Sequence, residues 1–438
     1  MTMSTASVPK DSFGRIPFDS IAVASPPAES LLVRVLVLAI VFINAADFRG
    51  DTGADEFSVH WQIILRLAIC LAAGLYGMAC LFPRTAREFF IWPGILATAT
   101  VAINFLTLPM SVDVTYSLAA LASLTGVLLF IPAAIRTLGA RTFLLTALFG
   151  LVLFIVASWV AYLFVPQVGV FAEQVTETTV IERMGGLAHP NELGLLAALA
   201  ALLALGLYTK QQVSGVFTLL VVLLAIVTLV TCYSRTAMVA GCIGAVVVLR
   251  NHMLSRGNIV VFLFGFAVIT LLILAALGTG KLDWQIEDLA AKLTKSGSTS
   301  ELMTGTGRTE IWPAAIEFIQ QRPLTGYGYC TARFVMEDHS YHGHNMVLNA
   351  MLYSGIFNGF IVVGTILVLL AGVIFMPCSE IDGCVMCLVV AGLVDGVLPA
   401  PSPAGATFLW FSCLFWRQLS VSFSHEPAPS LDVIAARQ

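Results

Sequence analysis
The chain has 438 residues, of which 58% are hydrophobic and 11% charged, with a formal net charge of -4. A mean hydropathy of +0.91 and a charged share less than half of the ~25% usual in soluble domains exclude a soluble globular enzyme. The pattern is that of a polytopic membrane protein, in which charge acts loop by loop and the net value says little about partners.

The first thirty residues are rich in Ser, Pro and Ala and lack a cleavable signal pattern, so residues 1–30 are expected to be a disordered cytoplasmic tail. Apolar runs near the ~20 residues needed to cross a bilayer follow at 31–47, 62–82, 89–109, 112–132, 142–165, 191–208, 214–232, 236–250, 258–278, 346–376, 381–398 and 404–419. The expected fold class is therefore an all-α polytopic membrane protein with about twelve transmembrane helices and one large, partly helical periplasmic loop between spans 9 and 10. A transmembrane domain at 31–419 would carry that loop at 279–345, and 420–438 would form a cytoplasmic tail. No internal repeat at a fixed period is visible.

Basic residues set the orientation. Arg84, Arg87, Arg136, Arg141, Lys210, Arg250, Arg256 and Arg417 fall on one side of this plan, whereas Asp47, Asp51, Asp55, Glu56, Glu173, Glu177 and Glu182 fall on the other. The positive-inside bias then puts both termini in the cytoplasm and the long loop outside. Six of the nine cysteines lie in apolar runs, so no structural disulfide or cysteine metal site is expected. The CxxC formed by Cys384 and Cys387 reads as small buried core residues.

Inside the loop, Leu282, Ile286, Leu289 and Leu293 recur at helical spacing opposite Asp283, Glu287, Asp288 and Lys292, which predicts a helix lying along the membrane surface. A second helix is predicted from Thr309 to Gln321, with Ile311, Ala315 and Ile319 on one face and Pro323 stopping it. Gly326 and Gly328 in "PLTGYGY" predict a tight turn or a close backbone approach.

Three arginines oppose the charge bias: Arg183 before "GGLAHPNELG", Arg235 in "YSRTA", and Arg308 in "TGTGRTEIW". Guanidinium forks match phosphate oxygens, so arginines at the outer face suit a diphosphate whose lipid tail lies in the bilayer. The competing reading for any one of them is a partner for a carboxylate such as Glu182, Glu310 or Asp395. In "DHSYHGHN", His344 and Asn345 stand where the tenth span begins, and an imidazole there can accept or position a hydroxyl proton. Alternatively, His339, His342 and His344 could ligate a metal with Glu337 or Asp338; a plain loop role is the third reading.

The order "YSRTA", "GRTEIW", "RPLTGYGY" and "HGHN" resembles the O-antigen ligase and O-antigen polymerase superfamily, which includes exopolysaccharide polymerases, over roughly residues 180–400. The resemblance implies a metal-independent membrane glycosyltransferase, with no cofactor, that uses glycans carried on undecaprenyl diphosphate at the periplasmic face of the inner membrane. By that resemblance Arg235 and Arg308 would hold the diphosphate and His344 would activate the acceptor hydroxyl, making these three the catalytic set. Arg183, His189, Asn191 and Asn345 would face substrate. Implied partners are the lipid-linked donor, an acceptor glycan or lipid A-core, membrane lipid and polysaccharide assembly proteins, with no nucleic acid. Consistently, the chain has neither an Asp-x-Asp metal handle nor a P-loop. A polymerase is slightly favoured over a ligase; the alternative from another class is a permease for a small anion or a glycan.

Overall fold
The computed structural model describes residues 27–46, 61–81, 85–174, 180–254, 308–340, 342–395 and 405–425. It is mostly helical: α1 (Pro27–Ile43), α2 (Trp61–Cys80), α3 (Ile95–Thr107), α4 (Val114–Leu138), α5 (Ala140–Phe164), α6 (Pro190–Thr209), α7 (Gly215–Cys232), α8 (Arg235–Leu254), α9 (Arg308–Gln321), α10 (Met346–Ser354), α11 (Ile356–Phe375), α12 (Ser379–Val394) and α13 (Gly405–His425). Six of these, α2, α4, α5, α6, α7 and α11, are long and apolar enough to cross a membrane, as expected of a multi-pass membrane protein. The predicted ninth span, 258–278, and the predicted surface helix around Leu282–Leu293 lie outside the described residues.

Burial separates the helices physically. On α6, Leu193, Leu195, Leu196, Leu199, Leu203 and Leu207 are all buried, leaving no lipid-facing stripe, as befits a helix apolar all round at the centre of a bundle. By contrast, α7 exposes Val216, Leu219, Leu220, Leu223, Val227 and Val230, a face that only hydrocarbon would satisfy. Close packing joins α8 to α12: a Cβ on Gly244 would stand 2.6 Å from the Gly383 carbonyl oxygen, so small residues let the two backbones meet. Cys384 and Cys387 are buried on the same helix, in keeping with their reading as core residues.

Several expectations need correction. The first helix begins at Pro27, inside the expected tail, and the last runs on to His425, so the tail expected from 420 starts as helix. Arg417, one of the basic residues that set the expected orientation, is buried and ion-paired with Asp382 of α12, and it donates to the Gly372 carbonyl at 2.9 Å and to the Met376 carbonyl. One guanidinium thus ties α11, α12 and α13 together. Within this mostly helical fold lies a short two-stranded antiparallel hairpin, β1 (Val170–Gln174) with β2 (Val180–Met184), in which Phe171 faces Arg183.

The predicted tenth span, 346–376, is two helices broken at Gly355, whose φ of 78° and ψ of -177° suit glycine alone. A helix ending within the bundle leaves carbonyls without partners. Here the "GYGY" loop supplies them: the amides of Tyr327 and Gly328 donate to the Leu352 and Tyr353 carbonyls at 2.8 and 2.9 Å, and the Asn358 side chain donates to Ala350 at 3.1 Å. On its other side the loop is strapped to the start of α4, with the Val112 amide donating to Tyr327 at 2.8 Å and Ser117 Oγ to the Tyr329 carbonyl at 3.1 Å. Gly328, at φ 112°, fits there because a Cβ would collide with Ser111 Oγ at 2.0 Å. The close approach predicted for this turn is therefore real. So is the helix before it: Ala315 is buried and Ile311 and Ile319 pack against the core.

Candidate functional site
Five chain segments converge on one cluster of polar side chains: the hairpin, the start of α6, the α7–α8 junction, the segment entering α10 and the end of α12. The α7–α8 junction is sharp. After Cys232, Tyr233 adopts the left-handed conformation (φ 52°), its amide returns to Val230, and α8 begins two residues later at Arg235. Arg183, only 1% exposed, sits beneath that helix end. Its Nε donates to the Cys232 carbonyl at 2.8 Å and its Nη2 to the Tyr233 carbonyl at 3.3 Å and to Asn191 Oδ1 at 2.9 Å, while Nη1 pairs with Glu173 across the hairpin. An arginine at a helix carboxyl end meets both the last carbonyls and the negative pole of the dipole.

Asn191 passes the connection on. It occupies the first turn of α6, where His189 caps the helix by accepting the Asn191 amide on Nδ1 at 3.3 Å and packs its ring on Phe171 at 4.9 Å. From the other end of its amide, Asn191 Nδ2 donates to Asp395 Oδ2 at 3.1 Å. Asp395 ends α12 and is 4% exposed. Its other oxygen, Oδ1, lies 3.2 Å from His344 Nδ1.

The histidine is held in turn. His344 has φ 46°, an uncommon conformation for a non-glycine residue. Its amide donates to His342 Nδ1 at 3.3 Å and the two rings stand 4.1 Å apart. Asn345 caps α10, accepting the amides of Val347 and Leu348 at 2.9 and 3.2 Å, and donates to the Leu393 carbonyl at 2.8 Å. A carboxylate can only accept, so contact with Asp395 puts the proton of a neutral His344 on Nδ1 and leaves the Nε2 lone pair to take another. The result is a line from Arg183 through Asn191 and Asp395 to His344, the imidazole being the quarter-exposed end with its side chain at 26% exposure.

Of the expected site residues, Arg183, His189, Asn191, His344 and Asn345 meet in this cluster, and the half-buried Arg235 opens α8 beside it. Arg308 is the first residue of α9, and its side chain lies outside the described residues. Sequence reasoning took Asp395 only as a possible arginine partner and missed Glu173 altogether as a site residue. A signal existed for the first: an acid closing an otherwise uncharged apolar run, "VMCLVVAGLVD", is costly and calls for a partner. His339, Glu337 and Asp338, offered as metal ligands with the other histidines, are exposed residues. Among the described residues, the trio whose ligand atoms all come within 4.8 Å of one another is His342, His344 and Asp395.

Outside the site, burial pushes the Tyr329 hydroxyl and the Cys330 thiol well above their ordinary ranges. Both groups are neutral packing elements of the strapped loop.

Residues 219–364 match the family described as O-antigen ligase. The match supports the resemblance to the O-antigen ligase/polymerase superfamily, and it spans Arg235, Arg308, His344 and Asn345. Arg183, His189, Asn191 and Asp395 fall outside the matched segment. Among curated proteins, none matches the chain.

Proposed function
From the premise of an O-antigen-ligase-type segment, we propose that this membrane protein transfers a glycan from undecaprenyl diphosphate to a sugar hydroxyl at the periplasmic face of the inner membrane, with both termini cytoplasmic. The observation that carries this reading is the His344–Asp395 contact, which leaves the imidazole as the quarter-exposed end of a buried polar chain.

In the transfer, the acceptor hydroxyl attacks the anomeric carbon while its proton passes to His344 Nε2. Asp395 stabilises the imidazolium that forms and keeps Nδ1 protonated. As the glycosyl–oxygen bond breaks, negative charge grows on the diphosphate, where Arg235 and Arg308 meet it. Each stands in the first turn of a helix, so the positive helix pole adds to the guanidinium charge. Arg183 acts differently from the expected substrate contact: its donors are committed to Glu173, Asn191 and the α7 carbonyls, so it orients the dyad from below instead of touching substrate. His189 and Asn345 work through the helices they cap, and the functional histidine is His344 rather than His342.

Glycan analysis of cells lacking the protein, complemented with wild type or His344→Ala, tests the reading. Single lipid-linked repeats without polymer identify a polymerase; long lipid-linked chains that never reach lipid A-core identify a ligase, with polymerase slightly favoured beforehand. Unchanged glycans would refute both and leave a permease as the working alternative.

A further inference from the structure
We infer that His342, His344 and Asp395 form a binding site for a borderline divalent transition-metal ion of the Zn2+ class, and that its occupation silences the site by switching the tautomer of His344. The metal-binding half stands on geometry alone, while the silencing half rests on the proposed role of His344. Two imidazoles and a carboxylate are the donor set of many three-ligand zinc centres with a fourth, open position. Bonds of ~2.0–2.1 Å to nitrogen and oxygen put two ligands of a tetrahedral ion about 3.3 Å apart. His344 Nδ1 and Asp395 Oδ1 already stand at 3.2 Å.

His342 completes the set. Its ring is 4.1 Å from that of His344, and ligand atoms of all three residues fall within 4.8 Å of one another, so a side-chain rotation of His342 closes the third edge. Asp395 comes with outer support from the Asn191 amide on Oδ2 at 3.1 Å, the kind of contact that orients a ligating carboxylate. Both histidines are partly exposed, which gives an ion a way in.

Occupation has a chemical consequence. An ion seated between Nδ1 and Oδ1 displaces the shared proton, and a neutral imidazole metallated on Nδ1 carries its hydrogen on Nε2. No net proton is lost from His344; it moves from one ring nitrogen to the other. The lone pair that would accept the acceptor hydroxyl's proton is then gone, and the nitrogen facing substrate has become a donor.

The test uses the full chain in detergent with Co2+ as spectroscopic probe and Zn2+ as competitor, comparing wild type with His342→Asn, whose amide oxygen can still receive the His344 amide. Wild type should show saturable, near-stoichiometric tetrahedral Co2+ absorption that Zn2+ displaces, with affinity falling about 10-fold or more in His342→Asn. Zn2+ should abolish glycan transfer by wild type, while the transfer that His342→Asn sustains without added metal should tolerate about 10-fold more Zn2+ before it is lost. Absence of a saturable Co2+ signal, or equal affinity in the variant, would overturn the site. Binding without loss of transfer, or with stimulation, would overturn the silencing. Should no glycan transfer be found in any form of the protein, the function proposed above fails, and the Co2+ titration still decides the metal site.

Discussion

Replacing Asp395 by Asn removes one charge and little volume, which makes it the sharpest probe of the dyad. At the observed 3.2 Å separation, an imidazolium and a carboxylate attract by about 5 kcal/mol at an effective dielectric of ~20 and by about 1 kcal/mol in bulk water. The carboxylate is nearly buried and the imidazole a quarter exposed, so a value between these limits, ~2–3 kcal/mol, is the stabilisation at stake in the transition state. That corresponds to a fall in transfer rate of about 30- to 150-fold. Asn can also donate to Nδ1 and so favour the unproductive tautomer, which deepens the loss. The assay is single-turnover glycan transfer from a polyprenyl-diphosphate donor in detergent, with thermal unfolding measured alongside to show that the fold survives. An Asp395→Asn enzyme that unfolds like wild type and transfers within about threefold of its rate would refute the dyad.

Other perturbations address the surrounding framework. Arg183→Leu strands the Cys232 and Tyr233 carbonyls and the Asn191 amide in a buried setting; with Glu173 partly free to turn to water, the expected cost is ~2–4 kcal/mol, read as a lower unfolding temperature together with lost activity. Asn345→Ala removes the cap of α10 and should cost about 1 kcal/mol in the same measurement. Gly355→Ala drives a Cβ to within 2.3 Å of the Leu324 backbone at a positive φ, and the protein should fail to accumulate in the membrane, as followed by immunoblot. Because Cys330 and Tyr329 bind their protons more tightly when folded than unfolded, the stability they confer is complete below the ordinary thiol value of 9.0 and declines as pH rises above it. Unfolding temperature should therefore fall above about pH 9 in wild type, and less steeply in Cys330→Ala.

Apolar runs announced most helices because a membrane span needs length and little else; α4, α5, α6 and α7 lie close to where hydropathy puts them. The break at Gly355 was invisible to that signal, since the residues on either side are apolar and only loop amides arriving from Tyr327 and Gly328 make an interrupted helix tolerable. The burial of Arg417 was hidden for a related reason: it counts as one more basic residue of its side of the plan until Asp382, 35 positions earlier, is seen beside it. At the site, individual residues could be read from their chemistry, but their grouping could not. Asn191 and Asp395 are joined across 204 positions, and no local pattern carries a contact of that reach. The hairpin was hidden by its shortness, five residues a strand.

The strapped loop has a meaning for how such a protein can change. Its backbone amides finish α10, and its carbonyls are held by the residues that open α4. Exchange of residues 308–345 between related chains would therefore have to bring 111–117 and 352–356 along, or leave peptide groups orphaned in a place with little water. The loop's exposed rim, around Glu337, Asp338 and His339, can vary without orphaning these groups, while its inner edge is inherited with the bundle as a single piece.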